Sequence, residues 1–360
     1  MKGKNFKRKR SRSRSSSSSD SDTFIPLAKR QESPKRSHLV APPWATSSTT
    51  RINDPLLLLH NEIIDFYHFI KPTQEETNNK NKIVQKIKDL ASEVWPEAQV
   101  VVFGSAATGL WLPNSDIDLV VMTNTQEDPV DCILELSHKV LEAKMASQLE
   151  RITSARVPIM KMKDRETGML LDISFNLENG VEGSKLIKEY LVNYPEAKYL
   201  VLVLKYYLKQ RELNETYSGG VGSFLLFCMI ISSLQHHPSR REDSQNYSKY
   251  LLSQYLVHFL QLYARNFRYE EVGISIREGG FYFNKRTKDW YDDNNPESLC
   301  VECPQKTDFD LGRTSKNIKM VKKSFQHALD ILLAQDYSIG KTPLSWLIRV
   351  DDLIASRSGN

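Results

Sequence analysis

Phe103-Gly104-Ser105, followed after a loop by Ser115-Asp116-Ile117-Asp118-Leu119, is the stretch that decides how this chain is read. Gln99-Val100-Val101-Val102-Phe103 is a short apolar strand that runs into a Gly-Ser turn. A second strand then carries two carboxylates with one residue between them. Side chains at i and i+2 of a strand share a face, so Asp116 and Asp118 project together while Ile117 points the other way. Carboxylates that close repel and shift each other's pKa unless a cation sits between them. Mg²⁺, a hard cation that also takes substrate phosphates, is the natural occupant. Gly104 and Ser105 offer backbone N–H groups and a hydroxyl where a helix begins, which makes an anion cradle. A phosphate site beside a metal site implies nucleotidyl transfer. The alternative is an ordinary surface strand, since Asp-x-Asp alone is common. Leu119-Val120-Val121 argues against it, because the apolar run marks an interior strand. A carboxylate pair at the end of such a strand is costly to desolvate without a role.

A two-metal site needs a third carboxylate. Pro158 to Lys163 reads as a strand, Asp164 to Gly168 as a turn, and Met169-Leu170-Leu171-Asp172-Ile173-Ser174-Phe175 as the returning strand of a hairpin. Asp172 is flanked by apolar residues, which places it in a buried position or at a site. Facing the same site, it completes a triad of Asp116, Asp118 and Asp172. The alternative is a structural Asp that caps a neighbour.

The run Val102-Phe103-Gly104-Ser105-Ala106-Ala107-Thr108-Gly109-Leu110-Trp111-Leu112-Pro113-Asn114-Ser115-Asp116-Ile117-Asp118 resembles the signature of the DNA polymerase β-type nucleotidyltransferases. More narrowly, it resembles the noncanonical poly(A) polymerases, in the family of the TRAMP-complex catalytic subunit. The likeness extends from about Asp54 to about Val350. It includes Ala155-Arg156-Val157-Pro158-Ile159, Asp172-Ile173-Ser174-Phe175, Ser218-Gly219-Gly220-Val221-Gly222-Ser223-Phe224 and the loop from Pro304 to Ser315. Several independent motifs in the right order are far more specific than one pattern.

The resemblance implies template-independent transfer of AMP from ATP to RNA 3′ ends, with Mg²⁺ as the metal and Mn²⁺ as its alternative. Such activity serves oligo- or polyadenylation of nuclear RNAs for surveillance, processing or decay. Lys205 and Lys209, one helical turn apart, read as an exposed face by composition; by resemblance they match the family's triphosphate-binding lysines. Ser223 matches a phosphate-binding serine. Phe224 takes the place of the aromatic that stacks on the base, where the wider family usually has Tyr. Ser184, read as lying at a helix start, matches a ribose-contacting position. The loop from Glu302 to Arg313 resembles the nucleotide recognition motif, with Asp310 and Arg313 at common family positions. Phe309 stands where the family usually has Asn. Asp310 as an acceptor for an exocyclic amine would favour adenine over uracil. The alternative is a polar surface loop held by an Asp310–Arg313 contact. Two rival functions stay open: a terminal uridylyltransferase on the same fold, and a catalytically idle RNA-binding scaffold subunit.

The chain has 360 residues and 40% hydrophobic content, enough for one or two compact domains beyond a tail. No stretch approaches ~18 uninterrupted apolar residues, so no membrane span is expected, and the start has no secretory apolar region. Cys300 and Cys303 form a C-x-x-C without a second ligand pair nearby, so ordinary thiols, together with Cys132 and Cys228, are expected rather than zinc. Residues 1–50 hold twelve Lys/Arg and three Asp/Glu, a net +9, against +5 for the whole chain, so residues 51–360 carry −4. The body is therefore no broadly basic nucleic-acid binder. Nor is a zinc knuckle or RNA-recognition module read within these 360 residues. Weak RNA affinity of the chain alone is the expectation. The resemblance implies a zinc-knuckle RNA-binding protein and an RNA helicase as partners, with the exosome functionally linked.

The expected class is α+β: a nucleotidyltransferase palm of mixed sheet and helices plus a mainly helical central domain, with the active-site cleft between them. Residues 1–50 read as a disordered basic Arg/Ser-rich tail. Its Lys7-Arg8-Lys9-Arg10, Lys29-Arg30 and Lys35-Arg36 suit nuclear import, with the nucleolus as an alternative address, or nonspecific RNA contact. The serines from Ser15 to Ser19 suit phosphorylation. Residues 51–75 read as a helix packing on the central domain, 76–182 as the palm and 183–360 as the central domain with its recognition loop near 302–315. Helices are expected over Leu56–Phe69, Gln74–Trp95, Pro129–Ala146, Lys198–Arg211, Ser223–Leu234 and residues 248–264 and 315–334.

Overall fold

A computed structural model describes residues 41–240, 250–334 and 342–358. The basic and serine motifs of residues 1–40 lie outside the described residues, as do 248–249 of the helix expected there.

Strong local signals fix the first two helices. Helix α1 (Pro55–Ile70) starts where Asp54 accepts a hydrogen bond from the Leu57 N–H at 2.7 Å and Pro55 takes the first position. Helix α2 (Gln74–Val94) starts on a reciprocal box between Thr73 and Glu76. Next come β1 (Gln99–Phe103), the short α3 (Gly104–Thr108), β2 (Ile117–Met122), α4 (Pro129–Glu142), β3 (Ala146–Ile152), β4 (Ile159–Asp164) and β5 (Leu170–Phe175). The five strands form one sheet in the order β1-β2-β5-β4-β3. Only the β2–β5 pairing is parallel.

Period-two alternation sorts this sheet. Ile117, Leu119, Val121, Leu171, Ile173, Met160 and Met162 turn to one face. There they pack on Ile83, Ile87 and Ala91 of α2 and Ile133, Leu136 and Val140 of α4. Asp118, Asp172 and Lys161 sit at the alternate positions and are forced to the opposite face. The helix expected to reach Ala146 instead stops at Glu142. Ala146 opens β3, an edge strand whose polar Ser147, Gln148, Glu150 and Arg151 hide it from hydrophobic patterning.

The second core is helical. It comprises α5 (Glu178–Asn193), α6 (Ala197–Lys209), α7 (Ser223–Gln235), α8 (Leu252–Gln261) and α9 (Ile318–Leu333), with α10 (Asp351–Arg357) closing the described chain. Every residue of α7 from Leu225 to Leu234 is buried, so this helix is the axis of the core. Leu59, Ile63, Phe66 and Ile70 of α1 belong to the same core. Two small hairpins, β6 (Val272–Ser275) with β7 (Phe281–Asn284) and β8 (Glu302–Cys303) with β9 (Lys306–Asp310), interrupt the helices. Buried Glu302 joins them through Ser275 at 2.9 Å, Lys288 and Arg277. All four cysteines are buried free thiols.

One buried carboxylate ties distant segments together. Glu62 on α1 is fully buried and accepts hydrogen bonds from the Trp44 indole N–H at 3.0 Å, the Leu344 N–H at 2.8 Å and the Thr342 hydroxyl. Burial dominates its titration and raises its pKa from 4.5 to about 7. The folded protein therefore binds a proton that the unfolded chain has released, and this group weakens the fold as pH rises between those values. Replacing Glu62 by Ala strands three buried donors at once. Thermal or denaturant unfolding of Glu62→Ala should show a loss of about 2–4 kcal/mol near pH 5, and a flatter pH dependence between pH 5 and 7.5 than the parent.

Candidate active site

The β2–β5 pairing places Asp118 directly beside Asp172. Asp116 lies in the loop just before β2, and Ile117 between the two carboxylates is buried on the far side. Gly104 makes room for this cluster: with φ +63°, a side chain there would put its Cβ 2.3 Å from the Asp118 carboxylate. Burial first, then the charges of Asp172 and Asp116, push Asp118 up to about 6. Burial also raises Asp172 above the ordinary carboxylate range, while Lys161 pulls it down.

Across from these acids stands a wall made by the helical core. The cleft between them has a volume of about 610 Å³, and Ser105, Asp116, Asp118, Lys205, Lys209, Ser223 and Phe224 all line it. Lys205 and Lys209 project together from α6, one turn apart. Composition suggests an exposed face, yet Lys205 is only 9% exposed, and its ammonium donates to the Leu110 carbonyl at 3.3 Å. Burial lowers Lys205 to about 8, partly offset by the attraction of Asp118. Ser223 opens α7, so the amides of that helix's first turn, which lack intrahelical partners, adjoin the cleft. Phe224 is partly buried and rests on the helical core while one side meets the cleft.

Four expected contacts are placed differently. The Gly104 N–H donates to the Ser184 hydroxyl at 2.8 Å, so it is engaged rather than open to an anion. Ser184 lies in the second turn of α5, not at a helix start, and its hydroxyl donates in turn to the Gly180 carbonyl at 3.0 Å. It is buried beneath the cleft and joins the palm to the helical core. Asp310 uses Oδ1 to accept from the Val301 N–H at 2.9 Å and the Gly312 N–H at 2.8 Å, which shapes the turn after β9. That oxygen is not poised to read a base. Arg313 is exposed and outside the cleft lining, and the residue of that loop that lines the cleft is Leu311. Phe309, 38% exposed on β9, is also outside the lining.

Lys161 is a site residue that sequence pattern alone does not mark. It lies opposite Asp172 in the β4–β5 register, with its ammonium 2.7 Å from Asp172 Oδ2 and 4.0 Å from Asp116 Oδ2. A second recess of about 380 Å³ adjoins the cleft here, with Asp116, Asp172, Lys161, Lys163, Gln148 and Glu150 in its walls. The signal was present as a Lys flanked by buried Met160 and Met162, but its partner depends on a register that only the folded sheet supplies.

Among the described residues, no three carboxylate, imidazole or thiol side chains close into a ready metal cage. The donor set nevertheless suits Mg²⁺, which binds through one or two carboxylates and completes its shell with substrate phosphates and water. Burial and the neighbouring carboxylates, which together raise Asp118, disfavour its charge, and a divalent cation would offset both.

Two family models match the chain in order. One, for the central palm domain of mitochondrial-like poly(A) RNA polymerase, covers residues 59–192. The other, for Cid1 family poly A polymerase, covers residues 251–309. The poly(A) RNA polymerase CID14 of Cryptococcus neoformans is 38% identical over 305 residues, 84% of this chain and 40% of that one. The chain thus spans less than half the length of such curated relatives. A Drosophila melanogaster protein named as an inactive noncanonical poly(A) RNA polymerase, Trf4-2, is 35% identical, with 79% of this chain and 71% of that one covered. A solved polymerase core of TRAMP, an RNA surveillance complex, superposes with a TM-score of 0.76 at 32% identity, covering 83% of this chain and 96% of that one. The α+β fold is that of a nucleotidyltransferase core, and the chain belongs to the noncanonical poly(A) RNA polymerases of the TRAMP type.

Proposed function

We propose that the chain is a polynucleotide adenylyltransferase, which adds AMP from ATP to RNA 3′ ends without a template. The observation that carries this reading is one cleft with Asp116 and Asp118 on one wall and Lys205, Lys209 and the start of α7 on the other. Carboxylates facing aligned cations across a space of nucleotide size suit a triphosphate bound together with a divalent cation. The names of the relatives, poly(A) RNA polymerases, support ATP over UTP.

The division of labour follows from position. Asp116 and Asp118 would hold Mg²⁺, or Mn²⁺ in its place, with Asp172 as the third ligand. Bound there, divalent cations supply charge neutralisation for the triphosphate and the departing pyrophosphate. Lys205 and Lys209 grip the β- and γ-phosphates, Ser223 and the first turn of α7 take a phosphate oxygen, and Phe224 offers its face to the base. The recess beside Asp172 receives the RNA 3′ end. In this reading the 3′ oxygen attacks the α-phosphorus in line, the bond to the β-phosphate breaks as pyrophosphate leaves, and Asp172 serves as metal ligand or as acceptor of the hydroxyl proton. With Oδ1 of Asp310 taken by backbone amides and Asp310 outside the cleft lining, base reading falls to the chain around Leu311 and to Phe224.

The partners in this reading are RNA, a zinc-knuckle RNA-binding protein and an RNA helicase, with the exosome downstream and the nucleus as the place of action. None of the described helices is long and apolar enough to cross a membrane. The idle-scaffold alternative draws on the inactive Drosophila relative; against it, this chain retains all three carboxylates and both lysines.

Asp116→Ala and Asp118→Ala should each lower RNA extension by about a thousandfold or more while leaving the melting temperature unchanged or slightly raised, since like-charge repulsion is removed. Retained extension in both variants contradicts the assignment. Lys205→Met keeps an apolar stem in a buried position and removes one charged phosphate contact of about 1.5–3 kcal/mol. Steady-state kinetics should show KM for ATP raised roughly ten- to a hundredfold, with a smaller change in kcat.

A further inference from the structure

The carboxylate cluster has a cation of its own. Lys161 reaches across from β4 and sets its ammonium on Asp172 Oδ2 at 2.7 Å, with Asp116 Oδ2 at 4.0 Å. Its place is fixed by the sheet: Lys161 pairs with Asp172 on one side and with Glu150 of β3 on the other. Met160 and Met162 on either side of it are buried in the palm core, so the strand cannot turn this side chain elsewhere without exposing them. Lys205 stands beside Asp118 from the opposite wall, so the acids lie between two ammonium groups, one from each core.

A divalent cation held by Asp172 Oδ2 together with the Asp116–Asp118 pair would take the oxygen that Lys161 holds. An ammonium and a divalent cation a few ångströms apart repel strongly even with solvent between them. The side chain of Lys161 is 39% exposed, and the adjoining recess gives it room to swing aside.

We propose that Lys161 is a positioning residue that acts as a displaceable counter-ion. It holds Asp172 toward the cleft before the second cation arrives, and it yields that carboxylate in exchange for the cation. The inference rests on the proposed metal-dependent reading of the site. It adds that occupancy of the position shared by Asp172 is an exchange of one cation for another, so that Lys161 sets how much divalent ion the site requires.

The test is binding, not turnover. Mn²⁺ would be titrated into the metal-free full chain, without nucleotide, with free ion followed by electron paramagnetic resonance. The parent, Lys161→Met, Lys161→Arg and Asp172→Ala would be compared, with melting temperature as a folding control. The expected result is Mn²⁺ binding about tenfold or more tighter in Lys161→Met, near-parental binding in Lys161→Arg, and loss of a site in Asp172→Ala. Unchanged or weaker binding in Lys161→Met, with the site still lost in Asp172→Ala, overturns the exchange and leaves the metal site standing. Equal binding in the parent and Asp172→Ala overturns the metal reading on which the inference rests.

Discussion

Two carboxylates held side by side on neighbouring parallel strands are the constraint to which the rest of this molecule responds. Asp118 and Asp172 are opposite each other in the β2–β5 register, and neither can turn away without driving Leu119, Leu171 or Ile173 out of the palm core. Two helices on the far face of the sheet thus fix the orientation of the acids. Around them the protein places room and charge: Gly104 because no side chain fits against Asp118, Lys205 in the opposite wall, and Lys161 across the strand.

The cleft exists because the chain builds two cores and joins them at a few points. The palm core packs α2 and α4 on the sheet, and the helical core surrounds α7. Ser184 links them beneath the cleft by holding the Gly104 amide, and Glu62 gathers the Trp44 segment, α1 and the Thr342–Leu344 segment into the helical half. Ser184 thus works at the joint between the cores, and Glu62 works within the helical one. Asp310 has a structural part as well: in the loop after β9 its Oδ1 accepts from the Val301 and Gly312 backbone amides.

Much of this was legible in the sequence because it rests on local pattern. Gln99–Phe103 reads as a strand from its apolar run, Asp172 stands out among apolar neighbours, and Asp54 and Thr73 announce their helices. What escaped depends on pairing across distance. Strand β3 is polar because it is an edge, and the short hairpins after α8 are too brief for a periodic signal. Lys161 becomes a site residue only once β4 and β5 are in register. Lys205 looks solvated in a one-dimensional reading because the wall that buries it lies elsewhere in the chain. Ser184 and Asp310 were expected to contact nucleotide, yet both hydrogen-bond to backbone amides, which no motif match reveals.

The proposed reaction is transfer of a nucleotide to an RNA end, and the base is what the cleft lining leaves least constrained. The most direct measurement is extension of one end-labelled RNA by the purified chain with Mg²⁺ and each nucleoside triphosphate separately, sized at single-nucleotide resolution. The account expects extension with ATP well above that with UTP, CTP or GTP. Preferred addition of UMP, or no extension with any nucleotide when a family member known to be active extends the same RNA in parallel, contradicts it.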